Sequence, residues 1–293
     1  MYKTRPLTIV LFILPALTIF LMYMLIPIPL SAFYSLFQWD GITDMVFIGL
    51  KNWRELLNDS IFLNSVLNNF KLVFLSIITQ IPIALLLAIF IYKKSRINNL
   101  LRTVYFLPQL FSSVAISVLW RYLYDPFFGL INEVLVKTGI IDMPIDFLGS
   151  EVLALYATSL AISWRFIPFY MILFIAAING IPNELYEAAR VDGANKFQTF
   201  FLITLPMLRS TIINAIVLVL VGSLKYFDIV YVLTEGGPNH ASELMATYMY
   251  KMSFTRLKMG YGSAVAFALF LIAFSLSLLF LNLTRSYSAK KGD

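Results

Sequence analysis

The sequence predicts an all-α protein that crosses a membrane several times. Of its 293 residues, 60% are hydrophobic and 13% charged, and the mean hydropathy is +0.82. That charged share is about half of what an ordinary soluble domain carries, too little to cover a globule of this size. The apolar residues are also gathered into uncharged runs of the length, about 20 residues, that a bilayer requires. Inside the hydrocarbon each backbone N–H and C=O has to be satisfied within its own segment, which selects helices.

Six such runs follow in order: residues 7–30, 72–92, 103–120, 152–178, 210–233 and 259–284. The first follows Lys3 and Arg5 as a signal peptide would, but its core is longer than a signal core and no small-x-small site follows, so it reads as a retained helix. The third extends toward Arg121, the fourth is interrupted only by Arg165, and the fifth carries Lys225 and Asp228. With both termini inside, twelve Lys and Arg fall on inner segments, Lys93, Lys94, Arg96, Arg102, Arg190 and Lys196 among them, against seven on outer ones. The predicted orientation is therefore N-in and C-in. Three outer segments, about 38–66, 125–151 and 234–258, are too short for separate domains but long enough for a docking surface.

Several function classes drop out. The net charge of +6 comes without a basic stripe interleaved with aromatics, which argues against nucleic-acid binding. There is no Cys and one His, which removes disulfides, thiolate chemistry and most zinc sites. That His240 lies beside Gly236, Gly237 and Pro238 and reads as a solvated loop residue.

One inner segment stands apart from the oil: ELYEAARVDGANKFQTFFLITLP, residues 184–206. Asn183 is a good N-cap, and Glu184 and Glu187 suit the positive end of a helix dipole. Leu185, Ala188 and Ala189 make a small, closely packing face, and Gly193 ends the helix as a left-handed cap. Asn195 with Gln198 has the spacing of a second capping box, Phe197, Phe200 and Phe201 supply an aromatic face, and Leu205-Pro206 turns the chain back to the membrane. Physics alone leaves two readings: an interfacial hairpin that only links two spans, or a knob shaped for a partner's cleft.

Glu187-Ala188-Ala189, three residues, Gly193, nine residues, then Ile203-x-Leu205-Pro206 resembles the EAA signature of bacterial ABC importer permeases. Ile181-Pro182-x-Glu184-Leu185-Tyr186, Asp192-Gly193-Ala194, Thr234-x-Gly236-Gly237-Pro238, Gly129-x-Ile131-Asn132 and Gly49-Leu50-x-Asn52-Trp53 narrow the resemblance to the carbohydrate-uptake group, in particular the type of the larger maltose permease subunit. The resemblance covers nearly the whole chain. It implies a type I importer permease fold of six transmembrane helices in the bacterial cytoplasmic (inner) membrane. It also implies a second permease as heterodimer partner, an ATPase dimer and an extracytoplasmic solute-binding protein. Residues 1–66 would be a first helix and outer loop, 67–286 the permease core with a coupling loop at 179–209, and 287–293 a cytoplasmic tail. Glu184, Glu187, Ala188, Ala189, Asp192, Gly193, Leu205 and Pro206 would form the coupling helix and its flanks, seated on the ATPase. No G-x-x-x-x-G-K-[ST] loop is present, so ATP and Mg belong to the partner and no cofactor is expected on this chain.

Polar groups inside spans are costly and mark a path or helix-to-helix contacts. Ser163, Arg165 and Tyr170 in the fourth run, with Pro168 to kink it, and Gln109, Ser112 and Ser113 after Pro108 in the third offer the hydroxyl, amide and aromatic partners a sugar wants. In the resemblance Val219, Ser223 and Tyr226 fall where the family lines its sugar site. Lys225 and Asp228 share a helix face at i, i+3, so they form a salt bridge, Lys225 snorkels to the membrane surface, or Lys225 faces the path. A guanidinium at mid-span needs a partner, and Arg165 or Lys225 on the path would favour an acidic or phosphorylated sugar. Other cargoes remain open at this point, glycerol phosphate or a polyamine among them, as does an ion-coupled secondary transporter, although Asp228 is the lone acid well inside a span.

Overall fold

The structure is a computed structural model that describes residues 6–289, with side chains described from 11 to 282. Lys3, Arg5, Lys290 and Lys291, which enter the charge argument above, lie outside the described residues. Helices dominate. In chain order they are α1 (Pro6–Phe20), α2 (Pro27–Tyr34), α3 (Lys51–Asn58), α4 (Ser60–Ile91), α5 (Arg96–Leu110), α6 (Ser113–Tyr124), α7 (Leu130–Lys137), α8 (Ala154–Asn179), α9 (Asn183–Val191), α10 (Lys196–Thr199), α11 (Leu205–Met207), α12 (Arg209–Leu224), α13 (Asp228–Thr234), α14 (Met245–Tyr250) and α15 (Met259–Ala289). The one sheet among the described residues pairs β1 (Phe37–Gln38) antiparallel with β2 (Val46–Phe47), a ribbon the apolar pattern did not reveal. Asp40 folds the turn between them by accepting from the amides of Ile42 at 2.9 Å and Thr43 at 2.8 Å.

Among the described residues, four helical stretches are long and apolar enough to cross a bilayer: Leu11–Tyr34, Ser60–Ile91, Ala154–Asn179 and Met259–Asn282. Two more runs count as spans only if a bent pair is taken as one, so the total is four to six. The expected span at 103–120 is α5 and α6, meeting at 98°. Phe111 and Ser112 leave the helix there, and Ser112 caps the restart by accepting from Ala115 N at 3.1 Å. The expected span at 210–233 also breaks: α12 ends at Leu224, residues 225–227 are non-helical, and α13 restarts at Asp228. In the first stretch the ladder widens to a π-turn at Leu21–Leu25 before Pro27, which lacks the amide a regular turn would use.

The chain divides into two compact units. One runs to Leu63 and includes Tyr248–Phe274. In it Asn52 donates to the carbonyls of Ser35 (2.8 Å) and Phe37 (2.9 Å), and Asp59 accepts from Tyr248 and, at 2.5 Å, from Tyr261. Gly260 is required by space, since a Cβ there would lie 2.0 Å from the Phe37 carbonyl oxygen.

The other unit runs from Asn64 to Thr247 and resumes at Ser275. Two apolar clusters stand out among its described residues. Ile81, Ala84, Ala88, Tyr170, Phe174, Ile178, Leu208 and Val219 belong to one, and Leu72, Ile116, Trp120, Leu155, Ile162, Ile229 and Leu244 to the other. The alanines Ala84, Ala88 and Ala215 are fully buried, as close approach of helices in oil requires.

Buried asparagines on α4 tie distant backbone into this unit. Asn68 donates to the carbonyls of Ala241 (2.9 Å) and Glu243 (3.1 Å). Asn69 reaches the last carbonyls of α12, Ser223 (3.4 Å) and Leu224 (3.3 Å), while its own oxygen accepts from Met245 N at 2.9 Å. Replacing Asn69 by Leu leaves those buried backbone groups unmet, at about 1–3 kcal/mol for the lost partners. The Asn69→Leu protein should therefore unfold several degrees below wild type in a tryptophan-fluorescence melt in detergent, and Asn64→Leu, which removes one half-buried bond to His240 O, should fall less.

Candidate functional site: a helical knob and a polar interior

The 184–206 block folds as two short helices with a sharp corner. Asn183 is the first residue of α9 and Pro182 takes the cap position, one residue earlier than the sequence implied. Its other end is a complete Schellman motif: Gly193 N donates to Arg190 O at 3.2 Å and Ala194 N to Ala189 O at 2.9 Å. Gly193 has φ +79° and open space where a Cβ would go, so it is required by backbone handedness and not by crowding. The capping box of α10 is present in both directions, Gln198 N to Asn195 Oδ1 at 2.9 Å and Asn195 N to Gln198 Oε1 at 2.8 Å.

Leu205 and Pro206 do not end the helix. They lie in α11, which continues from a π-turn at Phe200–Thr204, and the corner falls at Leu208, where α12 leaves at 63°. Pro206 has no amide to donate to the preceding turn, and the wide turn absorbs that loss.

On α9 the exposed residues are Asn183, Glu184, Leu185, Glu187, Ala188, Arg190 and Val191, while Ala189 is buried. Tyr186 turns inward, packs on the cluster containing Ile178, Ile181 and Leu208, and its hydroxyl lies 3.2 Å from Thr204 Oγ1. Asp192 is the C-cap and is exposed. The aromatic face is largely open: Phe197 is 78% and Phe201 57% exposed.

Deeper in the same unit the helix breaks converge on polar side chains. Arg165 of α8 donates to Ser113 Oγ and, at 3.4 Å, to the Phe111 carbonyl, and Ser113 Oγ donates to Asp228 Oδ2 at 3.1 Å. The partner of Asp228 is thus Ser113. Asp228 forms no ion pair with Lys225 among the described residues, because the i, i+3 rule assumes a continuous helix and the helix stops at Leu224. Lys225 is exposed. The Arg165 guanidinium also lies 5.4 Å from the Phe166 ring, and its Nε is buried without a hydrogen bond.

Tyr226, half-buried in the break, packs on Phe166 at 5.2 Å and interacts with Gln80, Ser223, Tyr170 and Arg165. Gln80, Ser76 and Ser223 are fully buried, yet none closes a side-chain hydrogen bond of ordinary geometry. Ser163 instead pairs with Thr79 across α8 and α4, Oγ to Oγ1 at 2.8 Å, and Tyr170 and Val219 sit in the apolar cluster. Five of the seven path candidates, Arg165, Tyr170, Val219, Ser223 and Tyr226, therefore lie around or beside one break. Ser163 acts as contact between helices, and Lys225, although the first residue of the break, has an exposed side chain. Ser76 and Gln80 were missed because they sit within a run that reads as oil, although a Gln in a span is itself a signal.

His240 also differs from its reading as a solvated loop residue. Its Nδ1 lies 2.8 Å from the fully buried Glu243 carboxylate, which also accepts from Thr247 Oγ1 at 2.6 Å. A Cβ on Gly236 would meet that carboxylate at 2.6 Å, so the Gly-Gly-Pro turn makes room for it.

The family described as binding-protein-dependent transport system inner membrane component matches residues 80–288, most of the chain and the whole of the knob. The chain belongs to that family. It is a transport component, not an enzyme. The permease is 39% identical over 272 residues to a probable ABC transporter permease protein, YurN, of Bacillus subtilis, covering 92% of this chain and 93% of that one. It is 31% identical over 279 residues to the trehalose/maltose transport system permease protein MalF of Thermococcus litoralis, covering 94% and 92%. Among solved structures, a bacterial ABC transporter involved in import of the acidic polysaccharide alginate superimposes on the permease with TM-score 0.83 over 96% of each chain. At 23% identity that likeness concerns the fold.

The corner at Gly193 makes a direct test. A side chain in left-handed geometry costs roughly 1–2 kcal/mol, less for Asn. Gly193→Val should raise amide hydrogen exchange over residues 189–196 by about five- to thirtyfold, as a local loss of that size implies, while Gly193→Asn stays near wild type.

Proposed function

We infer that this chain is one of two permease subunits of an ATP-driven, binding-protein-dependent importer of a sugar or oligosaccharide in the bacterial cytoplasmic membrane. Both termini face the cytoplasm, the two bent pairs each count as one span, and the total is six. The α9 knob, with Glu184, Glu187, Ala188, Ala189, Asp192 and Gly193, seats on a separate ATPase dimer that carries ATP and Mg. Leu205 and Pro206 hold the return to the membrane. The outer segments receive a solute-binding protein.

The observation that carries the reading is the anchoring of the knob. Its outer face is open, Ala189 is buried, and its inner face packs through Tyr186 on the cluster that holds Ile178 near the end of α8 and Leu208 just before α12. A push on α9 is thereby delivered to the two helices that border the Tyr226 break. ATPase closure would shift those helices, and the substrate would pass the Arg165, Gln80, Ser223 and Tyr226 group. Relatives whose names specify trehalose/maltose, arabinooligosaccharides and lactose support a saccharide cargo. An Arg165 Nε buried without a partner favours an anionic saccharide over a polyamine.

Proteoliposomes provide the test. Uptake should require this chain, a second permease, the ATPase and the binding protein together, should follow ATP and ignore ion gradients, and should fall to background in Glu187→Lys combined with Gly193→Pro. In the same vesicles Arg165→Gln should depress uptake of an acidic oligosaccharide at least tenfold more than that of a neutral one, and Lys225→Gln should show little difference. Uptake by this chain alone would defeat the reading; equal losses for both cargoes would defeat the anionic preference.

A further inference from the structure

An open cavity of about 1010 Å³ lies between the end of α4 and the knob. Four cations line it, Lys93, Lys94, Arg190 and Lys196, and no Asp or Glu does. None of the four forms an ion pair among the described residues, where the ion pairs are Lys137 with Glu133 and His240 with Glu243. Lys93 and Lys94 do not cap α4 either, for that task is taken. Arg102 donates to the carbonyls of Ile91 (2.7 Å), Tyr92 (2.6 Å) and Lys93 (3.3 Å). Four like charges held around one cavity repel one another, and a multivalent anion relieves that repulsion.

The wall beside the cations is apolar. Phe90, 77% exposed, and Ile89 belong to the last turn of a membrane-length helix, so the cavity opens where oil meets headgroups. The geometry points to a binding site for a phosphate group, presented by an anionic phospholipid headgroup of the inner leaflet or by a soluble phosphate ester. The phosphate oxygens take charge-assisted hydrogen bonds from Arg190 and the three lysines, and an acyl chain, where there is one, lies along Ile89 and Phe90. A phosphate held there bridges the end of α4 to α9, so its occupancy stiffens the knob against the membrane. Placing the site on the inner face rests on the orientation proposed above.

The purified full chain is titrated in neutral-lipid nanodiscs with two probes, phosphatidylglycerol supplied in the discs and glucose 6-phosphate in solution. Native mass spectrometry counts retained lipid, and equilibrium dialysis measures the ester. At least one probe should bind wild type, and Lys93→Gln/Lys94→Gln/Lys196→Gln should weaken that binding tenfold or more. The charge-keeping Lys93→Arg/Lys94→Arg/Lys196→Arg should retain it, as should Arg54→Gln/Lys71→Gln/Lys137→Gln, which removes as much charge elsewhere. Binding of the lipid alone assigns the headgroup as the source, and binding of the ester alone assigns a soluble ligand. The proposal is overturned if wild type binds neither probe, or if both glutamine triple variants lose equally. Either of those results leaves the transport assay untouched, so failure here and failure of the transport reading are separable.

Discussion

A helix that stops inside oil leaves carbonyls with nothing to accept from, and each unmet group costs several kcal/mol. This chain stops helices repeatedly within or beside its apolar runs, and at four of these stops a side chain from another element supplies donors. Arg102 closes α4, Asn69 closes α12, Arg165 reaches the carbonyl of Phe111 after α5, and Arg121 donates to Val232 and Leu233 at the end of α13. Each closure also joins two segments distant in sequence. The breaks thus hold the bundle together where continuous helices would rely on packing alone, and they explain why cations sit in runs that otherwise exclude charge.

The same requirement shapes the proposed transport. Breaks free a short stretch of backbone and side chains from helical geometry within an apolar run, and Tyr226 stands in one of them, beside Gln80 and Ser223. Irregular backbone is tolerated in a membrane where it is buried in protein or lines a cavity. Polar atoms buried there with only loose contacts are poor for stability and suited to a passing hydroxylated or charged solute. The knob lies at the far end of α8 and α12 from that break, so both ends of the proposed coupling act on one pair of helices.

Much of this was legible in the sequence where the governing chemistry is local. Gly193 read as a left-handed cap, and Asn195 with Gln198 as a capping box, because each depends on residues within four positions. The apolar runs marked the four long helices, since composition and length decide them. The bends were illegible for the same reason: Phe111 is as oily as its neighbours, and only Ser112, a small polar residue, marks the restart. Lys225 and Asp228 were misjudged because helical spacing was assumed across a stretch where the helix ends. Gln80 lay hidden inside oil, and the backbone that Asn69 binds is more than a hundred residues away in sequence. His240 read as solvated because the burial of Glu243, three residues on, depends on a turn whose shape only three dimensions reveal.

The central claim, that α9 seats on a separate ATPase, can be tested by proximity in native membranes, because the chain has no Cys of its own. A benzophenone maleimide placed on Val191→Cys, at a position 87% exposed on the knob, should yield a photo-adduct with the ATPase subunit, while the same label on Leu50→Cys, 61% exposed in an outer segment, should yield none. Absence of an ATPase adduct from position 191, or equal adducts from both positions, would contradict the account.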